Sequence, residues 1–193
     1  RHLLSLTNDL LDISSIEAGG AELAIEPLDL HDLLEEAHAL AAPLVTGAGL
    51  AFDLDAPEGP LNAHADRRRV VQVILNLVAN SAKYNREGTF VPLWSRAWGD
   101  AIRIAVEDDG PGIAPADVGR LFTAFDRLGQ QDRSRIEGTG LGLALSKSLV
   151  ESMGGRIGYE AAARGARFWF TLPREAPGEQ SSLAQDTEPC PPA

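Results

Sequence analysis

The stretch Gln72-Val-Ile-Leu-Asn-Leu-Val-Ala-Asn-Ser-Ala-Lys-Tyr-Asn85 decides the fold, because it combines an apolar helix face with a polar one that needs an explanation. At about 100° per residue, one side of the predicted helix is almost wholly apolar and suits a core. That side carries Val70, Ile74, Leu77, Val78 and Ser81. A second, polar stripe carries Gln72, Asn76, Asn80 and Lys83.

Asn76 and Asn80 are the unusual residues of this helix. Asparagine is a poor helix-interior residue because its side chain competes for backbone hydrogen bonds. One interpretation is structural, with the amides on a solvated face or in a buried hydrogen-bond network. The other is functional: a carboxamide oxygen ligates a hard cation, and the Lys83 ammonium neutralises phosphate. The helix alone leaves both interpretations open.

A first glycine-rich turn, Val106–Ile113, follows a predicted strand. Asp108 lies at the end of that strand, where its carboxylate can accept a hydrogen bond from the amine of a base. Gly110 and Gly112 let a planar ring approach the backbone, because glycine has no Cβ. By itself the pattern is weak, since Asp-Gly-Pro-Gly is also an ordinary turn.

A second glycine-rich turn, Glu137–Leu143, opens a predicted helix. Free N–H groups and the positive end of the helix dipole make such a start an anion site. The spacing Gly138-Thr-Gly140-Leu-Gly142 is not the dinucleotide fingerprint, and no Walker-type Gly-Lys-Thr or Gly-Lys-Ser follows. The turn therefore indicates anion binding of another kind.

The segments before these motifs predict a bundle-type helix and the start of a sandwich. Residues 1–18 have apolar side chains at bundle spacing, which favours a bundle or dimer contact over packing on their own domain. A short strand at 23–25 leads to Asp29, an expected helix cap. The helix that follows ends near Gly47 and is expected to bury Leu33, Leu34, Ala37, Leu40 and Leu44.

The remaining segments predict helices and mostly antiparallel strands in mixed order. After a strand at 50–54, the expected elements are a helix at 67–85 capped by Asp66, strands at 89–98 and 101–107, a short helix at 117–122, a helix at 140–153, and strands at 156–160 and 167–172. This order favours an α+β fold, a two-layer α/β sandwich, over a doubly wound parallel sheet. Beyond Pro173 the composition predicts a disordered tail.

Composition excludes several classes of function. The chain has 193 residues and a formal net charge of −11, which repels nucleic-acid backbones. No apolar run approaches the roughly 18–20 residues that span a bilayer, so no membrane contact is expected of this chain. The single cysteine, Cys190, cannot form an internal disulfide and indicates a reducing cytoplasm. The first residue is Arg1 rather than Met, which predicts a fragment of a longer protein.

Taken in order, the motifs resemble the boxes of the catalytic, ATP-binding domain of sensor histidine kinases. Asn76–Tyr84 resembles the N box, and Asp108–Ile113 resembles the G1 box. Leu121–Arg127 resembles the F box, and Gly138–Leu143 resembles the G2 box. The resemblance covers residues 1–173, and the order and spacing of the boxes make it specific.

The resemblance implies a Bergerat-type sandwich, a mixed and mostly antiparallel sheet with helices on one face, preceded by one bundle-type helix. It implies that Asp108 holds the adenine amino group of ATP and that Asn80 ligates Mg²⁺, with Asn76 close by. Lys83 and Tyr84 are expected at the phosphates or the ribose. The other nucleotide-binding residues that it implies are Gly110, Gly112, Ile113, Phe125, Gly138, Thr139, Gly140, Leu141 and Gly142.

The same resemblance divides the chain. The expected parts are residues 1–20 as the end of the second helix of the dimerisation hairpin, 21–173 as the catalytic ATP-binding domain, and 174–193 as a disordered tail. Residues 126–139 would form the ATP lid, hinged on glycines and anchored by Phe122 and Phe125. The polar composition of that segment independently predicts mobility.

Two features depart from the family pattern. The last glycine motif, usually Gly-x-Gly, reads Ala163-Arg-Gly165, which weakens any role of the final hairpin in gripping phosphate. The phosphoacceptor motif, His followed by an acidic residue and Arg-Thr-Pro, is absent, and His2 precedes Leu3 rather than an acid. No histidine of the chain is therefore assigned a catalytic role, and the acceptor is expected upstream of residue 1.

The implied enzyme is a protein-histidine kinase that uses ATP and Mg²⁺. It would transfer the γ-phosphoryl group to a histidine on the dimerisation hairpin, in cis or in trans. The phosphate would then pass to an aspartate of a response-regulator receiver domain. A homodimer is expected for the full protein, in the cytoplasm, with a parent that is either soluble or membrane-anchored.

Three alternatives share parts of this pattern. A serine/threonine kinase of the anti-sigma-factor type would not need the N-terminal bundle helix. A gyrase- or chaperone-type ATPase would use a catalytic glutamate on the N-box helix, and the positions around Asn76 offer Gln72 but no Glu. Intact Asn80 and Asp108 argue against a non-enzymatic ATP-sensing module.

Overall fold

The computed structural model describes residues 23–56, 61–85, 88–126 and 139–174. In chain order the elements found there are β1 (Glu26–Asp29), α1 (Leu30–Gly47), β2 (Ala51–Asp55), β3 (Asn62–Ala65), α2 (Arg67–Tyr84), β4 (Phe90–Trp98), β5 (Ala101–Asp108), α3 (Pro115–Val118), α4 (Gly142–Ser152), β6 (Ile157–Ala161) and β7 (Ala166–Pro173). The helix expected over 1–18, most of the expected lid and the expected tail lie outside the described residues.

Five strands form a mixed sheet in the order β2-β4-β5-β7-β6. Strand β2 runs parallel to β4, and the other neighbouring pairs are antiparallel. Strands β1 and β3 form a separate antiparallel ribbon. The hairpin expected between β4 and β5 is present, and Gly99 in its turn has a left-handed φ of 62°. The predicted α+β fold with a mostly antiparallel sheet is confirmed.

The core lies between one face of the sheet and the three longer helices. Side chains alternate between the faces of a strand, and the register puts Leu93, Ile104 and Phe170 on the same face. All three are fully buried. Helix α2 packs between α1 and α4, and its predicted apolar face, including Ile74 and Leu77, is buried as expected.

The opposite face of the sheet carries the three tryptophans of the chain, Trp94, Trp98 and Trp169. The guanidinium of Arg103 lies between two of them, with its Cζ 5.0 Å from the Trp98 ring and 4.4 Å from the Trp169 ring. Its ion pair with Glu160, at 2.5 Å, neutralises the buried charge. This face is therefore built from paired charges and aromatic rings rather than from aliphatic side chains.

Both expected helix caps are present. Asp29 accepts a hydrogen bond from the His31 N–H at 2.9 Å, and Asp66 accepts one from the Arg69 N–H at 3.2 Å. These bonds satisfy N–H groups that a helix cannot pair internally. The first turns of α1 and α2 are thus fixed by aspartates that the sequence identifies.

The buried face of α1 differs from the one that its leucines predict. The buried stripe runs through Ala37, Ala41 and Val45. Leu40 and Leu44 were expected in the core, but they are 53% and 48% exposed, so that expectation is wrong. A helix keeps one face by steps of three and four residues, and here the step of four from Ala37 leads to small side chains.

Two elements begin at positions other than those predicted. The first strand occupies Glu26–Asp29 rather than 23–25, and the Ala24 N–H donates to the carboxylate of Asp66 at 3.1 Å instead of joining a sheet. The short helix occupies Pro115–Val118 rather than 117–122, since proline favours the first position of a helix. Among the described residues, no helix has the length and apolar character needed to cross a membrane.

Candidate functional site

Helix α2 brings the motif residues together. In its middle, Asn76 Nδ2 donates to the carbonyl oxygen of Gly142 at 3.4 Å, which joins the helix to the start of α4. Just beyond its end, Asn85 Nδ2 donates to Asp109 Oδ1 at 3.1 Å, which joins it to the turn after β5. The two glycine-rich turns therefore meet the same helix, one at its middle and one at its end.

Asp108 is the last residue of β5 and is only 6% exposed. Burial raises the pKa of its carboxyl group above the usual value, and the negative charge of Asp109 adds to that effect. Hydrogen bonds from the N–H groups of Gly110 and Ala166 act in the opposite direction. A buried carboxyl group with a perturbed pKa at the edge of a turn is a candidate for ligand recognition.

Asp109, the next residue, has the opposite electrostatic environment. Partial burial raises the pKa of its carboxyl group, but hydrogen bonds from Asn85, Thr89 and Phe90 outweigh this and hold the pKa well below its usual range. The Thr89 N–H donates to both carboxylate oxygens, at 2.8 and 3.0 Å. The carboxylate of Asp109 is thus fully engaged by the segment that follows α2.

The glycines of the first turn are required by close approaches between backbones. Gly112 has a φ of 69°, and a Cβ there would lie 3.0 Å from the carbonyl oxygen of Gly165. Gly165 has a φ of 90°, and a Cβ there would lie 1.8 Å from the carbonyl oxygen of Asp108. The β6–β7 turn therefore packs directly on the turn that carries Asp108, and the family departure at Ala163 leaves that contact intact.

Asn80 and Lys83 lie one turn apart on the polar stripe of α2, and both are half-buried. Within the described part of the chain, nothing hydrogen-bonds the Asn80 carboxamide and no carboxylate pairs with Lys83. The ammonium of Lys83 lies 5.2 Å from the ring centroid of the half-buried Tyr84. An amide oxygen and an ammonium group are therefore available to a ligand here.

The start of α4 has the form expected of an anion site. Its N-cap residue, Leu141, makes no side-chain cap, and Thr139 Oγ1 accepts the Leu141 N–H at 3.1 Å. Gly140 turns the chain with a φ of 74°. The N–H groups of the first turn after Gly142 have no intrahelical partner and can bind phosphate oxygens. Gly138 lies outside the described residues.

Phe122 and Phe125 were expected to anchor the lid, most of which lies outside the described residues. Phe122 packs against the core. Phe125 is 62% exposed with a left-handed φ of 63°, and the anchoring of the lid by these two residues stays a prediction. The backbone of Phe125 does make a link: its N–H donates to the carbonyl oxygen of Gly140 at 3.0 Å. This bond joins the two ends of the segment 127–138, which lies outside the described residues.

Of the other predicted residues, Gly110 and Ile113 lie in the turn after β5, and their contact with a nucleotide stays a prediction. A Cβ on Gly110 would lie 2.8 Å from the Asn85 side-chain oxygen, and Ile113 packs partly buried against the core. Sequence reasoning missed Asn85 and Asp109 and gave little weight to Gly165. The only sequence signal for these residues is the acid beside Asp108 and the glycine just before the last strand.

A metal bound by this chain would depend on few protein ligands. Among the described residues, no group of three or more His, Cys, Asp or Glu side chains could hold a metal ion. Mg²⁺ is compatible with that, because it usually keeps water and substrate phosphates as ligands and takes one or two from the protein. The oxygen of Asn80 has no partner among the described residues and lies one helical turn from Asn76, which contacts the start of α4, so it fits a metal that arrives with a polyphosphate.

Known protein families include one that matches most of this architecture. The family described as "Histidine kinase-, DNA gyrase B-, and HSP90-like ATPase" matches residues 65–176, more than half of the chain. That span contains α2, both glycine-rich turns and the β6–β7 turn.

Individual proteins agree with the family match. The non-motile and phage-resistance protein of Caulobacter vibrioides is 39% identical over 178 residues, which cover 90% of this chain and 21% of that protein. The sensor histidine kinase GacS of Pseudomonas protegens is 38% identical over 176 residues, which cover 88% of this chain and 19% of GacS. The chain thus spans about a fifth of the length of these curated relatives.

Among solved structures, full-length ShkA in complex with AMPPNP matches with a TM-score of 0.76 and 34% identity, covering 89% of this chain and 36% of ShkA. The chain therefore belongs to the family of histidine kinase-, DNA gyrase B- and HSP90-like ATPases, and within that family it is similar to sensor histidine kinases.

Proposed function

We propose that this chain is the catalytic domain of a sensor histidine kinase, which binds Mg-ATP and supplies its γ-phosphoryl group to a histidine. One observation carries the proposal: the bond from Asn85, just beyond α2, to Asp109 places the buried Asp108 carboxyl group at the end of the helix that carries Asn80 and Lys83, which have no polar partner among the described residues. A nucleotide needs these groups together, because its base and its phosphates lie at opposite ends of one molecule.

In this proposal Asp108 accepts a hydrogen bond from the adenine amino group, and Gly112 leaves room for the ring. Asn80 ligates Mg²⁺, with Asn76 close by. Lys83 and Tyr84 face the phosphates or the ribose. The remaining contacts to the nucleotide come from Gly110, Ile113, Phe125, Gly138, Thr139, Gly140, Leu141 and Gly142.

The protein contributes position and charge rather than covalent chemistry. Bound Mg²⁺ would supply neutralisation of the phosphate oxygens. The ammonium of Lys83 and the N–H groups at the start of α4 offset the charge that develops on the transferred phosphoryl group. These electrostatic interactions are strong only where water is excluded. The half-buried setting of Asn80 and Lys83 favours such exclusion.

In this proposal the acceptor histidine and its general base belong to the dimerisation hairpin, and no described histidine of this chain takes that role. The three described histidines are engaged elsewhere: His31 lies beside Glu35, His38 stacks on Phe52, and His64 lies beside the Arg174 carbonyl oxygen. From the acceptor, the phosphoryl group would pass to an aspartate of a response regulator. The similarity to the sensor histidine kinase GacS supports a kinase over the rival activities.

The proposal extends to the rest of the protein. We assign residues 1–20 to the dimerisation hairpin and residues 21–173 to the catalytic domain, which residues 174–193 follow. The parent protein acts as a homodimer, with this domain in the cytoplasm.

A hydrolytic ATPase is the main rival. It would need a general base near the attacking water, and α2 contains no acidic residue. The three neutral or basic side chains that it presents instead, Asn76, Asn80 and Lys83, suit binding and charge neutralisation. Hydrolysis is therefore the less suitable chemistry for this site.

The test is to incubate the parent protein with ATP labelled at the γ-phosphate. A histidine kinase transfers the label to protein in an acid-labile, base-stable form, and Asn80→Ala should remove that label. Label released only as inorganic phosphate would indicate an ATPase. Label that is stable to acid would indicate a serine/threonine kinase and would contradict the proposal.

A further inference from the structure

The carboxylate of Asp109 makes more hydrogen bonds than the proposed nucleotide contacts explain. It accepts the Thr89 N–H at 2.8 and 3.0 Å, the Thr89 hydroxyl at 2.8 Å and the Phe90 N–H at 3.2 Å. It also accepts a hydrogen bond from Asn85 Nδ2 at 3.1 Å. All these donors belong to the six residues that follow α2. Asp109 therefore ties the end of α2 to the turn that carries Asp108.

Asn85 makes this tie short and rigid. It is only 2% exposed, and its Nδ2 also donates to the Phe90 carbonyl oxygen at 3.2 Å. A Cβ on Gly110 would lie 3.2 Å from the Asn85 Cα, and a Cβ on Gly88 would lie 2.2 Å from Asp109 Oδ1. The turn after β5 and the segment after α2 are thus in close contact, with no room for a side chain at Gly88 or Gly110.

We propose that Asp109 is a positioning residue that fixes the separation between the adenine end and the metal-phosphate end of the nucleotide site. This inference rests on the proposed function, in which Asp108 holds the base and Asn80 holds the metal. Asn80 lies five residues before Asn85 on the same chain segment, about 7.5 Å along a helix at 1.5 Å per residue. Because a helix is stiff over that distance, fixing its end against Asp109 also fixes Asn80.

The reason lies in how a two-ended ligand gains affinity. Once the base is bound, the phosphates reach their partners at an effective concentration that depends on how well the two ends are held at the right distance. Removing the hydrogen bonds of Asp109 lowers that effective concentration without changing the base contacts or the phosphate contacts themselves. Asp109 should therefore affect the coupling between base and phosphate binding, and have little effect on base binding alone.

The experiment measures this coupling on the 193-residue chain, with adenosine as a base-only probe and Mg-ATP as the two-ended ligand. For wild-type protein, the ratio of the two dissociation constants reports the coupling. In Asp109→Ala we expect the dissociation constant for adenosine to stay within about twofold and that for Mg-ATP to rise about tenfold or more, a loss of about 1.4 kcal/mol. Saturation-transfer NMR suits the weak ligand and calorimetry the strong one.

Two further variants make the result interpretable. Glu107→Gln is the matched control: Glu107 also neighbours Asp108 and also carries one negative charge, but its partner is Arg167, on the other face of the sheet, at 2.7 Å. It should leave the affinity ratio unchanged. Thr89→Val removes only the hydroxyl donor to Asp109, so it should shift the ratio in the same direction by less, and it serves if Asp109→Ala does not fold.

Each outcome is decisive. Equal weakening of adenosine and Mg-ATP in both variants would mean that Asp109 merely stabilises the turn, which overturns the inference. An unchanged ratio would overturn it too. Wild-type protein that binds neither ligand would instead refute the proposed function, and the inference would fall with it.

Discussion

At the adenine end of the proposed site, Asp108 is 6% exposed, and the turns on both sides of it are packed so closely that only glycine fits at Gly165. At the phosphate end, Asn80 and Lys83 are half-buried and have no partner among the described residues, and the bond from Asn76 to Gly142 is long, at 3.4 Å. The groups at the adenine end are held in place by contacts within the chain. In the proposal, the groups at the phosphate end find their partners only in the bound ligand.

This difference indicates that the two ends contribute to nucleotide binding in different ways. A rigid base pocket lowers the ordering cost of binding, because its groups are already in place. In the proposal, the partners of the phosphate end are Mg²⁺ and phosphate oxygens, which arrive with the ligand. The contacts at this end can therefore change as the phosphoryl group departs. Mutations should therefore affect the two ends in different ways, and the predictions below begin with the largest expected effect.

The largest effect is expected from Gly165→Ala, because its Cβ would lie 1.8 Å from the Asp108 carbonyl oxygen, at a φ of 90°. The left-handed backbone costs roughly 1–2 kcal/mol, and overpacking adds roughly 1–3 kcal/mol. We expect a loss of stability of roughly 2–5 kcal/mol from these two causes, together with loss of adenosine binding. Denaturant unfolding and ligand titration would measure both.

Gly99→Ala is the matched control for backbone strain. Gly99 also has a left-handed φ, 62°, but a Cβ there would meet nothing within 4 Å. It should cost only the backbone contribution, roughly 1–2 kcal/mol, and leave adenosine affinity unchanged. If the two variants lost equal stability, the contact between the β6–β7 turn and the base turn would not be as tight as the structure indicates.

Asp108→Asn should separate binding from stability. A hydrogen bond to a charged group is worth about 1.5–3 kcal/mol, so the affinity for ATP should fall about ten- to hundredfold. The folded protein should nevertheless become more stable near neutral pH. Burial raises the pKa of Asp108, so the contribution of this group to stability is present at acidic pH and is lost as the pH rises through its raised pKa.

The pH dependence gives this prediction a clear sign. The gain in melting temperature of Asp108→Asn over wild type should be largest near neutral pH and should shrink as acid protonates Asp108. Asp109→Asn should show the opposite behaviour, since the pKa of Asp109 is held low and its contribution is lost only at acidic pH. Melting curves that moved in the same direction for both variants would contradict the distinction between the two carboxylates.

Asn80→Ala tests the phosphate end. Loss of a metal ligand should remove the part of ATP affinity that depends on Mg²⁺, about tenfold for 1.4 kcal/mol. Affinity for adenosine should not change, because the base end does not use Asn80. Titrations of ATP with Mg²⁺ and with a chelator would show it: wild type should respond to the metal, and the variant should respond little. An equal response in both proteins would mean that the metal is held elsewhere.

Most of the fold could be predicted from the sequence because its signals are local. The cap at Asp66, the apolar face of α2 and the turn at Gly99 each depend on residues that are close in the chain. The exposure of Leu40 could not be predicted in that way, because hydrophobicity does not show which of two neighbouring stripes a helix buries.

The site shows the same limit. The residues that would touch a nucleotide stand in recognisable motifs, whereas the residues that hold those motifs do not. Gly165 is 57 residues from Asp108, and Asp109 meets Asn85 across 24 residues. Such contacts exist only once the sheet has formed, so neither glycine content nor charge pattern could reveal them.

The smallest effect is expected from Glu107→Gln. Glu107 and Arg167 pair at 2.7 Å on the tryptophan face, with side chains 25% and 32% exposed. Partly exposed ion pairs contribute about 0–1 kcal/mol, so the variant should lose less than about 1 kcal/mol and keep its affinity for adenosine and Mg-ATP. Because a strand alternates its side chains between faces, Glu107 points away from the site although it adjoins Asp108. If this variant weakened Mg-ATP binding as much as Asp109→Ala does, the effect of Asp109 would not come from its contacts with the segment after α2, since Glu107 pairs with Arg167 instead. Loss of a negative charge should by itself favour an anionic ligand, so the coupling between the two ends would then have a cause other than the hydrogen bonds of Asp109.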